Sequence, residues 1–218
     1  IQSVVFTSSV AVYGFAQSNA DETSQTNPFN YYGESKLEAE KLLRDWYEKN
    51  NLSKNLIIIR PTVIFGENNR GNLFKLMQSI YLKKFIMIGS GNNIKSIGYV
   101  KNLVDFIIYS LNMKKFNLFN YIDKPDLTVS ELIKIITLTF NYKFRPIFRI
   151  PYFIAYTILT FLEPFTNLIK LKLPISLIRL RKFCSTTQFS SEKVLQTSFK
   201  PKYTIKKGIE KTVKYEFR

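Results

Sequence analysis

Two stretches decide the reading: VVFTSSVAVYG, Val4 to Gly14, and YYGESK, Tyr31 to Lys36. In the first, Val4, Val5 and Phe6 form an unbroken apolar run, the pattern of a strand covered on both faces, which then enters a Ser/Thr cluster. The second sets a tyrosine and a lysine four positions apart at the start of a helix expected from Tyr31 to about Asn50. Leu42, Leu43, Trp46 and Tyr47 mark its apolar face, and Glu38, Glu40, Lys41 and Asp45 fill the other. Residues 15–30 between the two stretches are rich in Asn, Asp, Ser and Thr and read as a loop.

The same rhythm continues outward. Asn55–Gly66, NLIIIRPTVIFG, reads as a second buried parallel-type strand ended by Arg60-Pro61, followed by a helix at roughly Leu73–Lys83. KFIMIGSGNN gives a short strand and a turn, and IGYVKNLVDFIIYSL starts extended and becomes helical. FNLFNYID is a further strand, and a helix begins beyond Thr128. Strands alternating with helices predict a parallel α/β sheet. The GSG at 89–91 precedes polar residues and no helix, so it reads as a turn and not as a phosphate cradle.

Bulk properties narrow the function. The 218 residues hold no histidine and a single cysteine, Cys184, which excludes a disulfide framework, argues against zinc and points to a reducing, cytoplasmic setting. The apolar first strand, with no leader ahead of it, suggests that an upstream portion is missing. Net charge is +16 and uneven: residues 1–110 carry 12 basic and 9 acidic side chains, residues 111–218 carry 20 and 7. A basic half calls for an anionic partner, a phosphorylated substrate or a membrane surface. No nucleic-acid recognition motif accompanies the charge, so nucleic acid is not an expected partner.

A phenol titrates at about 10 and is a poor base near neutrality until a cation beside it stabilises the phenolate. Lys36, one turn along from Tyr32, supplies that cation, and Ser9 at the end of the neighbouring strand can hydrogen-bond the same substrate hydroxyl. The three make a proton relay for oxidising an alcohol as hydride leaves the same carbon. A Y-x-x-x-K pair alone is a weak signal; its weight here comes from the order strand, serine cluster, polar loop, Tyr/Lys helix, strand.

TSSVAVYG, YYGESKLEAE, RPTVIFGENNRGN, SIGYVKNLVDFI and FNYIDKPDLTVSELI together resemble the extended short-chain dehydrogenase/reductase family, within it the NAD-dependent nucleotide-sugar epimerase/dehydratase group. The match runs from Ile1 to about Ile136 and resumes weakly at SSEKVLQTSFKPKYTIKKGI. The resemblance implies a partial Rossmann-type parallel sheet in residues 1–125 and a mostly helical substrate-binding region in residues 126–218. It implies Ser9, Tyr32 and Lys36 as the catalytic residues, which also contact the cofactor NAD, and Thr62 beside the nicotinamide. Asn72 and Lys95 match positions that bind the substrate diphosphate. It implies a dimer paired through the Tyr/Lys helix.

Departures refine this. The glycine-rich pyrophosphate-binding half typical of the family is absent, so the piece alone is expected to bind NAD poorly. Where dehydratases carry an acid/base pair, this chain has Val10 and Ala11, which cannot move a proton; epimerases have small neutral residues there. Val63 stands in place of a family asparagine, and Lys95 in place of an arginine, without its bidentate fork. The expected activity of the parent protein is 4-epimerisation of a UDP- or polyprenyl-diphosphate-linked hexose or N-acetylhexosamine for surface polysaccharide. A net dehydrogenase or reductase, and an inactive remnant that binds membrane or a partner, are the alternatives.

Ile150–Leu162 has no charged residue, and at thirteen residues it is too short to span a bilayer, which needs about 20. A buried helix is the plain expectation. The sharper one is an interfacial segment, with Tyr152, Phe153, Tyr156, Phe161 and Phe165 beside Lys170, Lys172, Arg179, Arg181 and Lys182.

Overall fold

The computed structural model describes residues 1–14, 19–49, 54–142, 148–168 and 176–217. In chain order the elements are β1 (Ser3–Thr7), α1 (Tyr31–Lys49), β2 (Asn55–Pro61), β3 (Val63–Phe65), α2 (Asn72–Tyr81), β4 (Met87–Ile88), β5 (Ile94–Tyr99) and α3 (Val100–Ser110). Then follow β6 (Phe116–Tyr121), β7 (Asp123–Thr128), α4 (Val129–Thr139), β8 (Arg149–Ile150), α5 (Tyr152–Leu168), α6 (Leu177–Cys184), α7 (Glu192–Leu195) and α8 (Ile205–Phe217). A 3-10 turn at Val10–Tyr13 follows β1.

The expected parallel sheet is present, in the order β1-β2-β6 with both pairings parallel. Its central strand explains the NLIIIRP run. Side chains alternate across a strand, so Ile57 and Ile59 enter one cluster with Phe106, Phe119 and Tyr121. Leu56 and Ile58 enter another with Tyr47 and Leu118 under α1. All four β2 residues are fully buried, which only a sheet covered on both faces requires.

Strand β2 ends at Pro61, as expected of Arg60-Pro61, and the rest of the run carries a second short strand, β3. Pro61 has no N–H for a ladder, Thr62 turns the chain, and β3 joins a second, mixed sheet in the order β3-β5-β7. There the Thr62 hydroxyl donates to the Ser96 carbonyl at 2.8 Å and the Thr62 N–H to the Tyr121 carbonyl at 3.2 Å, stitching the two sheets together. Strand β7, DKPDLT, has no apolar periodicity; it is an antiparallel edge strand beside β5. Its Asp123 carboxylate is buried and accepts from the Tyr99 N–H, the Asn102 amide and the Tyr121 hydroxyl, and burial raises its pKa. A second core joins α2, α4 and α8 beneath this sheet through Met77, Ile136 and Ile209. Gly208 of α8 lies so close that a Cβ would sit 2.8 Å from the Tyr99 ring.

Two expectations about helices need correction. Leu42 of α1 points to solvent and Glu40, expected on the polar face, is buried. The reason is Arg60, also buried, whose Nε and second terminal nitrogen donate to the two Glu40 oxygens at 2.8 and 2.6 Å. Its remaining arm donates to the Tyr13 hydroxyl at 2.8 Å, and that hydroxyl donates to Asn120 Oδ1 at 2.8 Å. The plain expectation for α5, a buried helix, also fails: of residues 152–162 only Ala155 is buried.

The Arg60–Glu40 pair clamps α1 to β2, and breaking one side of such a pair strands the other charge. In the whole protein Arg60→Met is expected to cost about 3–5 kcal/mol by urea denaturation. Adding Glu40→Leu should recover part of that loss in a double-mutant cycle, whereas simply additive losses would contradict the clamp.

Candidate active site

Ser9, two residues beyond β1, caps the 3-10 turn, its Oγ accepting from the Ala11 N–H at 3.1 Å. Helix α1 starts on an Asx cap: the Gly33 N–H donates to Asn30 Oδ1 at 2.9 Å. Its first turn lies directly against the Ser9 turn, since a Cβ on Gly33 would sit 2.7 Å from the Ala11 carbonyl oxygen and 2.9 Å from Pro28 Cβ. One turn further on, Lys36 Nζ donates to the Thr7 carbonyl at 2.9 Å. The lysine thus bonds the chain two residues before Ser9, and the glycine touches it two residues after. Tyr32, the residue before Gly33, is open to solvent over about half its surface (55%), and the Lys36 ammonium stands 6.0 Å from its ring centroid. The first turns of α1, which carry Tyr32 and Lys36, therefore lie against the turn that Ser9 caps, just beyond the C-terminal end of β1.

Behind them sits the polar network of Arg60, Glu40, Tyr13 and Asn120. Burial raises the Tyr13 pKa against the opposing pull of Arg60, so the hydroxyl stays protonated and available as the donor to Asn120. Two residues of this network were invisible to sequence reasoning. The available signal was the spacing of Glu40, one turn beyond Lys36, together with an arginine placed at the end of an otherwise apolar strand.

The other expected site residues lie as follows. Thr62 is buried with its hydroxyl spent on Ser96, so it serves the joint between the two sheets. Asn72 is the exposed first residue of α2. Lys95 directs its ammonium to the carbonyls of Lys182 and Ser185 at 2.8 and 2.6 Å, capping the end of α6. Burial lowers its pKa to about 8. The cation on the open cleft is Arg181. That cleft, of about 400 Å³, is lined by Ile88, Gly89, Ser90, Asn93, Tyr152, Arg181, Cys184 and Ser185. An arginine among several small polar donors, with Tyr152 and Ile88 as apolar walls, suits an anionic ligand with a flat or hydroxylated end. Lys182, next to Arg181, places its ammonium 4.4 Å from the Phe29 ring, which ties α6 to the loop that starts α1.

Comparison with known proteins agrees with this architecture. The model of the NAD dependent epimerase/dehydratase family matches residues 1–120. The chain is 42% identical over 219 aligned residues to the N-acetyl-alpha-D-glucosaminyl-diphospho-ditrans,octacis-undecaprenol 4-epimerase of Escherichia coli O157:H7, covering 100% of this chain and 66% of that protein. Among solved structures, UDP-N-acetylglucosamine 4-epimerase from Methanobrevibacter ruminantium M1, in complex with UDP-N-acetylmuramic acid, superposes with a TM-score of 0.70 at 19% identity, over 99% of this chain and 63% of that one. UDP-glucuronic acid 4-epimerase from Bacillus cereus, in complex with NAD, gives 0.71 at 15% identity, over 98% and 60%. The structural likenesses speak to the fold, and the chain spans just under two thirds of each of these relatives. On the family match and the close relative together, the chain belongs to the NAD dependent epimerase/dehydratase family.

Proposed function

We propose that this chain carries the proton-transfer and substrate-binding part of an NAD-dependent 4-epimerase whose substrate is an N-acetylhexosamine on a polyprenyl diphosphate. The observation that supports this reading is the packing of the first turns of α1, which carry Tyr32 and Lys36, against the chain on both sides of Ser9. The carrier and the sugar follow the close relative's substrate, and a UDP-linked hexose is the variant of the same reading. Pairing of two copies along α1, where Tyr31 and Leu42 are exposed, belongs to the same reading. So do a cytoplasmic setting and a peripheral contact with an anionic membrane, in the service of surface-polysaccharide assembly.

The residues suit the ribose and nicotinamide end of the cofactor. Tyr32 and Lys36 offer a hydroxyl and an ammonium at an open surface, matched to ribose hydroxyls. Ser8, beside Ser9, is a buried hydroxyl with no partner among the described residues. The glycine-rich turn for the pyrophosphate is not within these 218 residues. NAD, when bound, would supply the hydride acceptor and donor that inversion at C4 requires. Ser9 orients the C4 hydroxyl, Tyr32 Oη removes its proton and later gives it back, and Lys36 offsets the negative charge this leaves on the phenol oxygen. Val10 packs into the core and Ala11 has no acid or base, so nothing here supports loss of water. Arg181 holds the diphosphate in the cleft of α6.

In the whole protein, Tyr32→Phe should lower kcat by about 10²- to 10⁴-fold without moving the urea midpoint, because the hydroxyl is at an open surface. An unchanged rate would remove Tyr32 from the mechanism. Gly33→Ala should push α1 off the Ser9 turn and lower kcat by up to about 10²-fold, with a much smaller effect on KM. Turnover should leave the bulk absorbance of reduced cofactor flat; a steady rise with substrate consumed would favour the net dehydrogenase instead.

A further inference from the structure

We infer that helices α5 and α6 seat the protein on an anionic lipid bilayer, with α5 lying along the interface and the cleft opening beside it. The inference deepens the lipid-linked reading above and rests on it only for the identity of the cleft's ligand.

Helix α5 is the sharpest departure from ordinary surface chemistry in the molecule. Residues 150–162 include no charge, and Phe153 and Phe161 are each 68% exposed, with Ile154, Ile158 and Leu162 also open. Their spacings of three and four put them on one broad apolar face. The two polar side chains in the middle of the helix do not relieve it. Thr157 and Thr160 turn their hydroxyls back to the carbonyls of Phe153 and Tyr156 at 2.8 Å each, leaving methyl groups outward. A helix that satisfies its own hydroxyls and shows phenylalanine outward is suited to a surface that offers no hydrogen bonds.

The neighbouring helix supplies the charge that names the occupant. In α6, Leu180 is buried while Ile178, Arg179, Arg181 and Lys182 are exposed, with no acidic residue in the helix. Arg181 joins the two helices, donating to the Tyr156 hydroxyl at 3.2 Å. An apolar face beside three cations matches acyl chains beside anionic headgroups, each cation contributing about 1 kcal/mol near such a surface. A second copy of this chain would instead bring like charge against like. The 17 residues of this helix measure about 25 Å, short of the roughly 30 Å hydrocarbon core. Among the described residues no helix is long and apolar enough to cross a membrane. Finally, Tyr152 of α5 and Arg181 of α6 both line the cleft, so a diphosphate anchored in the leaflet would enter without leaving the bilayer surface.

The test uses the whole protein with vesicles of phosphatidylcholine, with and without phosphatidylglycerol, in a co-sedimentation assay. Binding is expected only to the anionic vesicles, weakening as salt rises. Phe153→Ser with Phe161→Ser should reduce it by at least about tenfold while leaving the urea midpoint and the turnover of a short-chain, water-soluble substrate unchanged. Absence of binding to anionic vesicles, or binding indifferent to the phenylalanine pair, would overturn the inference. So would a double variant that turns a dimer into a monomer, since α5 would then face a second copy. Turnover of lipid-linked sugar in detergent separates the two claims. If it proceeds without vesicle binding, docking fails and the function stands; if vesicles bind and no lipid-linked sugar reacts, docking stands and the carrier assignment fails.

Discussion

The buried Arg60–Glu40 pair fixes how α1 sits on the parallel sheet. Two charges removed from water are tolerated only when their hydrogen-bonding capacity is met, and the guanidinium fork meets it with two bonds to Glu40 and a third to Tyr13. A slip of α1 by one turn along β2 would leave a carboxylate in an apolar layer. The pair therefore selects one register between helix and strand. Lys36 and Tyr32 precede Glu40 by one and two turns, so the register passes directly to them. What Lys36 then reaches is the end of β1, and what Gly33 then touches is the turn that begins at Ser9.

Around that fixed point the molecule divides its tasks. The parallel sheet and the α2–α4–α8 layer are tightly packed, with an invasive contact at Gly208 and buried polar stitches at Thr62 and Asp123. These make a rigid support for the first turns of α1 and the Ser9 turn. Helices α5 and α6 are built the other way, with apolar and basic side chains turned outward and a cleft at their junction. In the proposed reading, the rigid part handles the sugar hydroxyl and the outward part handles what the sugar is attached to. The uneven charge along the chain follows the same division.

Local spacing made the elements that carry the candidate trio legible in the sequence: Ser9 follows soon after an apolar run, and Tyr32 and Lys36 sit one turn apart on a helix. The β2 core was legible for the same reason, because four consecutive apolar residues demand cover on both faces. Contacts distant in sequence were not. Glu40 reads as a solvent-facing acid until Arg60 is seen across 20 positions, and Lys95 reads as a phosphate ligand until its partners at the end of α6 are seen. Strand β7 escaped because its residues are polar and its pairing is set by β5 alone. The exposure of α5 was undecidable from hydropathy, since a core helix and an interfacial helix share the same composition. Phe165, Lys170 and Lys172, part of that sequence argument, lie outside the residues whose side chains are described.

The central claim is that one sugar hydroxyl is gripped jointly by the Ser9 turn and the first turns of α1. A crystal structure of the whole protein with its diphosphate-linked sugar tests it most directly. The account predicts Ser9 Oγ and Tyr32 Oη each within about 2.6–3.2 Å of the same ring hydroxyl, with the Arg60–Glu40 pair intact behind them. A sugar whose hydroxyls are held by other side chains, with Tyr32 Oη turned to solvent, would contradict it.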